Sequence, residues 1–429
     1  MLISAEVIYQ FNIFLVFTNK NYVMSKKQDP IEIKGKNPQG INLYNEYGVE
    51  SDKSAVAAIF KGITSNDYPG AFVNIVDDPS DPNKCTTMHV DGDGSKIVQR
   101  FLEYHYYKKQ DPTVFAGMAD DAWSMNYSDI AAAGFVFGRI HFVDVFDCGQ
   151  KDLKYIILKQ FAKRFSELLE LHRHFGFDVK LVGGETADLP QQVKTGVFNL
   201  AVHAWADKND IISGKTKAGD VIFGIRADGQ AIWEPKPIFP TMSNGLTLLR
   251  GGLMYDSFNE FADLGDGSFY KGRYEPDDKP KILGGLTVGE AILSPTRQWA
   301  IVIRQIMKEL KERDILHMLH GISINTGGGA TKIANIGQGV TYVKNMSKLH
   351  PLFQLVQEET GQPFRDMYTT FNCNFGVDIV GEDNDEFRLG VKTAVEKCGL
   401  EMAKLGFVNA SHDGKNHVIL NTPYGRFEY

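Results

Sequence analysis

TTMHVDGDGSKIVQRFLEYHYY, residues 86–107, decides the fold. Its first six residues read as a strand, DGDG as a tight turn, and SKIVQRFLEYHYY as a helix. Working outward, FVNIVDD (72–78) reads as a preceding strand, and 118–133 as a helix with a small-residue face at Ala131–Ala133. FVFGRIHFVDVFD (135–147) has strand periodicity, and DLKYIILKQFAKRFSELLELHRHFG (152–176) is a long amphipathic helix stopped by Gly176. VKLVGGE and GVFNLAVHAWA add strands, so the first part of the chain is α/β (α+β) in class. DKNDIISGKTKAGD, ending at Asp220, is a polar connection. A second series follows: VIFGIRA as a strand, a helix after Ser243, a long helix from Thr296 to about Arg313, a strand into TGGG, then a helix, more strands and a last helix near 384–398. The expected units are an arm over 1–43, a first domain over 44–208 and a second over 209–425. Residues 255–284, rich in Gly, Asp and Lys, read as a surface insertion.

With 46 basic and 53 acidic residues the net charge is -7, and no long basic run offers a nucleic-acid footprint. The four cysteines, Cys85, Cys148, Cys373 and Cys398, are scattered without a CxxC pair, which fits a reducing cytoplasm. No apolar run reaches the length of a membrane span. Residues 1–23 are apolar and aromatic, without the basic start of a secretory signal, and Met24 opens the polar stretch SKKQDP. Translation is therefore expected to begin at Met24; an intact mass that includes residues 1–23 would overturn this.

Several motifs carry chemistry. In HVDGDGSK (89–96) the glycines let the backbone approach a phosphate, the helix start faces the anion, and Lys96 supplies charge. Asp91 and Asp93 would repel phosphate unless Mg²⁺ lies between, so acids here imply a metal. Asp121 and Asp129 are eight residues apart on the next helix and project from roughly one face. In LVGGETADLP (181–190), Gly183 and Gly184 permit a turn, while Glu185 and Thr186 could hold a metal or a ribose. SNG (243–245), SPTR (294–297), NTGGGATK (325–332) and MYTTFNCNFG (367–376) complete the set. TGGG before a helix offers amides to an anion, and Asn244 and Arg297 could grip phosphate or amide groups. Each also has a plainer reading: a cap, a strand exit, a salt bridge, or, for Cys373, a buried thiol.

In this order the motifs resemble the phosphoribosylformylglycinamidine cyclo-ligase (aminoimidazole ribonucleotide synthetase) family, from about Tyr44 to about residue 410. GGETA and MYxTFNC are the most specific pieces. The resemblance implies a two-domain fold: an N-terminal sheet pairing across a homodimer and carrying ATP, and a C-terminal α/β domain. It implies a purine-pathway enzyme that closes formylglycinamidine ribonucleotide to aminoimidazole ribonucleotide. The formyl amide oxygen takes the γ-phosphoryl group of ATP, the amidine nitrogen attacks the activated carbon, and ADP and phosphate leave. By the same resemblance Asp91, Asp129 and Glu185 would hold Mg²⁺, and Asp129 and Lys96 would act in catalysis. Gly92, Gly94, Ser95, Lys96, Gly183, Gly184 and Thr186 would border ATP. Ser243, Asn244, Gly245, Arg297, Gly327, Gly328 and Gly329 would hold the substrate, with Asn372 shaping the cleft. The implied partner is a small-molecule substrate, with no nucleic acid and no membrane.

The chain departs from the family pattern in places. ADGQAIWEPKPIFPTM (227–242) replaces the usual residues before SNG, Ile324 stands for a histidine, Thr369 for an arginine and Asp93 for an apolar residue; His320 remains at an earlier position. The loss of the histidine and the arginine bears on the substrate end more than on the ATP end. The alternatives are a related ATP-dependent enzyme for another amide-like substrate, or a nucleotide-binding paralogue without catalysis.

Overall fold

The computed structural model describes residues 37, 39–49, 54–60, 62–107, 110–259 and 269–429. The start at Met24 and most of the 1–43 arm lie outside the described residues, as does the middle of the 255–284 insertion. The described strands are β1 (Val76–Asp77), β2 (Lys84–Gly92), β3 (Arg139–Cys148), β4 (Asp178–Asp188), β5 (Gly196–Asp207), β6 (Val221–Arg226), β7 (Leu319–Ile324), β8 (Val340–Asn345), β9 (Phe375–Gly381), β10 (Met402–Ala410), β11 (His417–Thr422) and β12 (Gly425–Glu428). The helices used below are α1 (Lys96–Tyr106), α2 (Gly117–Ala131), α3 (Lys151–His174), α4 (Leu246–Leu253), α5 (Val288–Ile292), α6 (Trp299–Glu312), α7 (Pro351–Thr360), α8 (Phe364–Thr370) and α9 (Asp385–Lys397).

Among the described residues two sheets form, in the orders β1-β2-β5-β3-β4 and β12-β11-β8-β10-β6-β9-β7. The mixed α/β class is therefore as read, with the change of sheet falling between Asp207 and Val221. In the first sheet β3 and β4 pair in parallel through α3, while β5 runs antiparallel to both β2 and β3. Strand alternation gives this sheet two different faces. Ile140, Phe142 and Phe146 of β3 and Phe198, Leu200 and Val202 of β5 are buried. On the other face Met88 is 71% and Val90 63% exposed.

Helix α2 is the structural centre. Every residue from Met118 to Ala131 is buried, because the helix packs against β2 and β5, α3 and α6 at once. Its sequence lacks a polar stripe, as expected of a helix enclosed all round. Trp123 packs on Phe142, Phe165 and His172 with ring centroids 4.3, 4.8 and 4.4 Å away. The polar residues of α2 are thereby taken out of water and need partners; they find them on the functional side of the molecule.

The structure corrects some local readings. FVNIVDD contributes only Val76–Asp77 as strand, and β3 begins at Arg139. TGGG leads into a 3-10 segment, Gly329–Asn335, not an α-helix. Three strands after Lys397 went unread; β10 lies inside the second sheet, between β8 and β6. No helix among the described residues is long and apolar enough to cross a membrane.

Candidate active site

Strand β2 ends in Asp91-Gly92, and the turn after it brings Gly94 (φ +59°) against the second half of the chain. A β-carbon at Gly94 would lie 3.6 Å from the Ser243 carbonyl, and one at Gly327 would lie 3.9 Å from Asn244 Oδ1. The DGDG, SNG and TGGG loops therefore meet. Helix α2 delivers Asp129 to the same place, where Lys332 Nζ donates to Asp129 Oδ2 at 3.0 Å and to the Thr326 hydroxyl. Lys332 also lies 4.9 Å over the Phe72 ring. His89 stands by, with Nε2 3.9 Å from Asp129 Oδ2 and Nδ1 2.8 Å from Asn126 Oδ1.

The electrostatics fit a cation. Burial and then the Asp129 charge hold the Asp91 carboxyl above its ordinary value, although Asp91 accepts from the Gly92 amide at 2.7 Å. Asp129 Oδ1 is buried without a hydrogen-bond partner. Two neighbouring acids, one with an open buried oxygen, form a hard-oxygen donor set suited to a divalent cation. Asn244 Nδ2 is likewise buried and unpartnered, a donor available to a carbonyl or phosphate oxygen.

A second buried network ties the sheets together. Lys96, fully buried, donates to Asp121 Oδ1 at 2.8 Å and to the Ser294 carbonyl at 2.5 Å. Asp121 also accepts from Arg100 at 2.6 Å and from the Thr296 amide and hydroxyl at 2.9 and 2.7 Å. Lys96 is thus directed into the interior and does not face an open phosphate cradle, which corrects its expected contact with ATP. Asp121 and Asp129 serve different clusters despite their spacing. Asp93 does not join Asp91 around a metal: it is fully buried, and burial pushes its carboxyl well above the usual range.

Arg297 is also corrected. Its guanidinium is buried, bonds Glu234 through two nitrogens at 2.8 and 2.9 Å, and donates to the carbonyls of Arg226, Asp228 and Gly229 at 3.0, 3.2 and 3.0 Å. It holds the 227–242 insertion in place, with nothing left for a substrate. That insertion lines a cavity of about 530 Å³ together with Arg100, Asp120, Arg164 and Thr296. Asn372 donates to the Pro240 carbonyl at 2.7 Å, so it supports the backbone leading into SNG.

Glu185, Gly183, Gly184 and Thr186 are not brought to the acid pair. They lie on β4, the exposed edge of the first sheet. Asp91, Leu200, Asp144 and Gly184 form one row across the strands, so Glu185 sits about 14 Å, three strand spacings, from Asp91. His320 does not replace the histidine absent at Ile324: its Nδ1 is 2.8 Å from Asp220 Oδ2, and it lies near the start of β7, with TGGG beyond the other end. Lys332 and His89 were not singled out from the sequence, although both stand inside quoted motifs.

Residues 70–205 match the family "AIR synthase related protein, N-terminal domain". Phosphoribosylformylglycinamidine cyclo-ligase of Methanocaldococcus jannaschii is 31% identical over 210 residues, 48% of this chain and 51% of that protein. The enzyme of the same name from Symbiobacterium thermophilum is 28% identical over 79% of this chain and 84% of its own length. That from Burkholderia cenocepacia is 25% identical over 77% and 80%. The match spans about half the length of the first of these relatives and most of the other two. These similarities bear out the resemblance read from the motifs, and residues 70–205 are similar to the AIR synthase related N-terminal domain.

Proposed function

We propose that this chain is an ATP-dependent ligase that closes formylglycinamidine ribonucleotide to aminoimidazole ribonucleotide, giving ADP and phosphate. The observation that carries the reading is the convergence of Asp91, Asp129, Asn244 and Lys332, from both halves of the chain, at one glycine-lined junction. Phosphoryl transfer needs positioning and charge neutralisation more than a protein nucleophile, and this junction offers both.

Asp91 and Asp129 are the residues that would hold Mg²⁺, whose contribution when bound is to neutralise phosphate charge. Gly92 and Gly94 border the nucleotide. Lys332 fixes Asp129 in place, and Asn244 Nδ2 donates to the amide oxygen that is activated. Ser243, Gly245 and Gly327–Gly329 shape the substrate end, with Asn372 holding the loop before SNG. Lys96 and Arg297 act as positioning residues through Asp121 and Glu234. Residues 44–208 are taken as the ATP-binding and dimerisation unit and 209–425 as the synthetase unit, working in the cytoplasm. The open face with Met88, Val90, Val182 and Val197 exposed supports a homodimer through the first sheet. Glu185, Gly183, Gly184 and Thr186 belong to that sheet's edge.

One observation favours a related ATP-dependent reaction on another amide-like substrate. Ile324 is fully buried, and the Thr369 hydroxyl is turned to the Asp366 carbonyl, so neither position offers a charged group. ADP release from Mg²⁺-ATP that requires formylglycinamidine ribonucleotide supports the cyclo-ligase; release indifferent to it, or dependent on another amide, contradicts it.

A further inference from the structure

Phe269 and Lys271 of the 255–284 segment meet Glu46, Tyr47 and Val49, just past the arm, over a cavity of about 460 Å³ that Ser95, Thr247 and Arg250 also line. Its donors are concentrated. Ser95 precedes α1 without a side-chain capping bond, and Thr247 stands in the first turn of α4, whose cap, Gly245, has no side chain. Both helices thus bring their positive ends to the cavity. Arg250 is 1% exposed, donates to the Tyr270 hydroxyl at 2.8 Å and lies 5.3 Å over the Phe269 ring, so its guanidinium is held in one orientation. Lys271 Nζ is 5.2 Å over the Tyr47 ring. Burial pushes the Tyr47 hydroxyl up to about 12, leaving it a neutral donor near pH 7. Glu46 is the one acid among the described lining residues.

The cavity adjoins the acid pair without including it. Ser95 follows Gly94, and Thr247 is two residues beyond Gly245. A phosphate monoester placed at Asp91 and Asp129 would meet two carboxylates, and TGGG opens only a short 3-10 segment. Cations, hydroxyls and helix starts lie on the other side of the glycine turn. We infer that Arg250, Lys271, Ser95 and Thr247 bind the phosphate monoester of the phosphoribosyl substrate, leaving the acid pair to the nucleotide. Lys271 of the 255–284 insertion and Tyr47, just past the arm, thereby become part of a substrate-phosphate pocket. This assignment of the substrate rests on the cyclo-ligase reading; the pocket's preference for a sugar phosphate does not.

The test uses the full chain, with ribose 5-phosphate as the probe, measured by calorimetry in wild type, Lys271→Gln and Lys271→Arg. Lys271 is exposed, so both variants are expected to fold, and circular dichroism checks this. Loss of one charge-assisted contact predicts about tenfold weaker binding in Lys271→Gln, with much of it restored in Lys271→Arg. Ribose 5-phosphate should compete with formylglycinamidine ribonucleotide, and not with ATP. Equal binding by wild type and Lys271→Gln, or competition with ATP, would overturn the pocket. If ring closure is absent but binding falls in Lys271→Gln, the pocket stands and the cyclo-ligase reading fails.

Discussion

Replacing Arg297 with glutamine separates a structural arginine from one that grips substrate. The guanidinium makes two bonds to Glu234 and donates to four carbonyls of the 226–229 turn. Its side chain is fully buried, and that of Glu234 is 9% exposed. Removing one partner of a buried pair leaves the other charge uncompensated, at a cost of about 3–5 kcal/mol. That is a large share of an ordinary folding stability of about 5–15 kcal/mol. The urea slope grows with the surface exposed on unfolding, so in a chain of this size the midpoint should fall by roughly 0.5–1 M. Arg297→Met with Glu234→Leu removes both charges and should recover much of the loss. The assay is urea unfolding of wild type, Arg297→Gln and the double variant, followed by tryptophan fluorescence. An unchanged midpoint in Arg297→Gln, accompanied by a raised KM for substrate, would refute the structural role.

Other expectations follow from the acid pair and the open sheet face. Lys332→Ala removes the charge-assisted bond to Asp129, and should lower kcat/KM for ATP by about 10- to 100-fold in steady-state assays. Asp129→Asn should raise the Mg²⁺ concentration needed for half-maximal turnover; an identical titration would remove Asp129 from the metal site. The Asp91 carboxyl titrates above its ordinary value because of burial and Asp129, so it favours the folded state most at low pH. That contribution is lost as pH climbs from the ordinary carboxylate range through Asp91's raised value. In metal-free buffer Asp91→Asn should therefore flatten this part of the Tm-versus-pH curve, and it should abolish the stabilisation conferred by Mg²⁺. Val90→Lys, placing a charge on the open apolar face, should convert the proposed homodimer to monomer in light scattering; an unchanged mass would remove this face from the interface.

The strand–turn–helix order around DGDG was legible because each piece is local: period-2 alternation, glycine punctuation and an amphipathic run. Helix α2 and its acids were legible for the same reason. The destination of each acid was not. Asp121 meets Lys96, 25 residues away, and Thr296, 175 away, while Asp129 meets Lys332, 203 away, and none of these separations follows from local spacing. Lys96 looked like a phosphate ligand because a lysine after a glycine turn has that geometry; the burial that withdraws it comes from packing against Ser294. Glu185 looked like a ligand because GGET reads as a turn, yet the chain continues through it as β4. Strand order, which sequence patterning leaves open, puts that strand at the far edge. Lys332 ends NTGGGATK, and its place six residues after Thr326 is the signal in the sequence that points to it.

The central claim is tested most directly by following an oxygen atom. Formylglycinamidine ribonucleotide carrying ¹⁸O in its formyl amide is incubated with the protein and Mg²⁺-ATP, and the phosphate and nucleotide products are analysed by mass spectrometry. The label is expected in inorganic phosphate, in step with ADP and aminoimidazole ribonucleotide. Nucleotide binding with no imidazole product, or product formed with phosphate free of label, would contradict it.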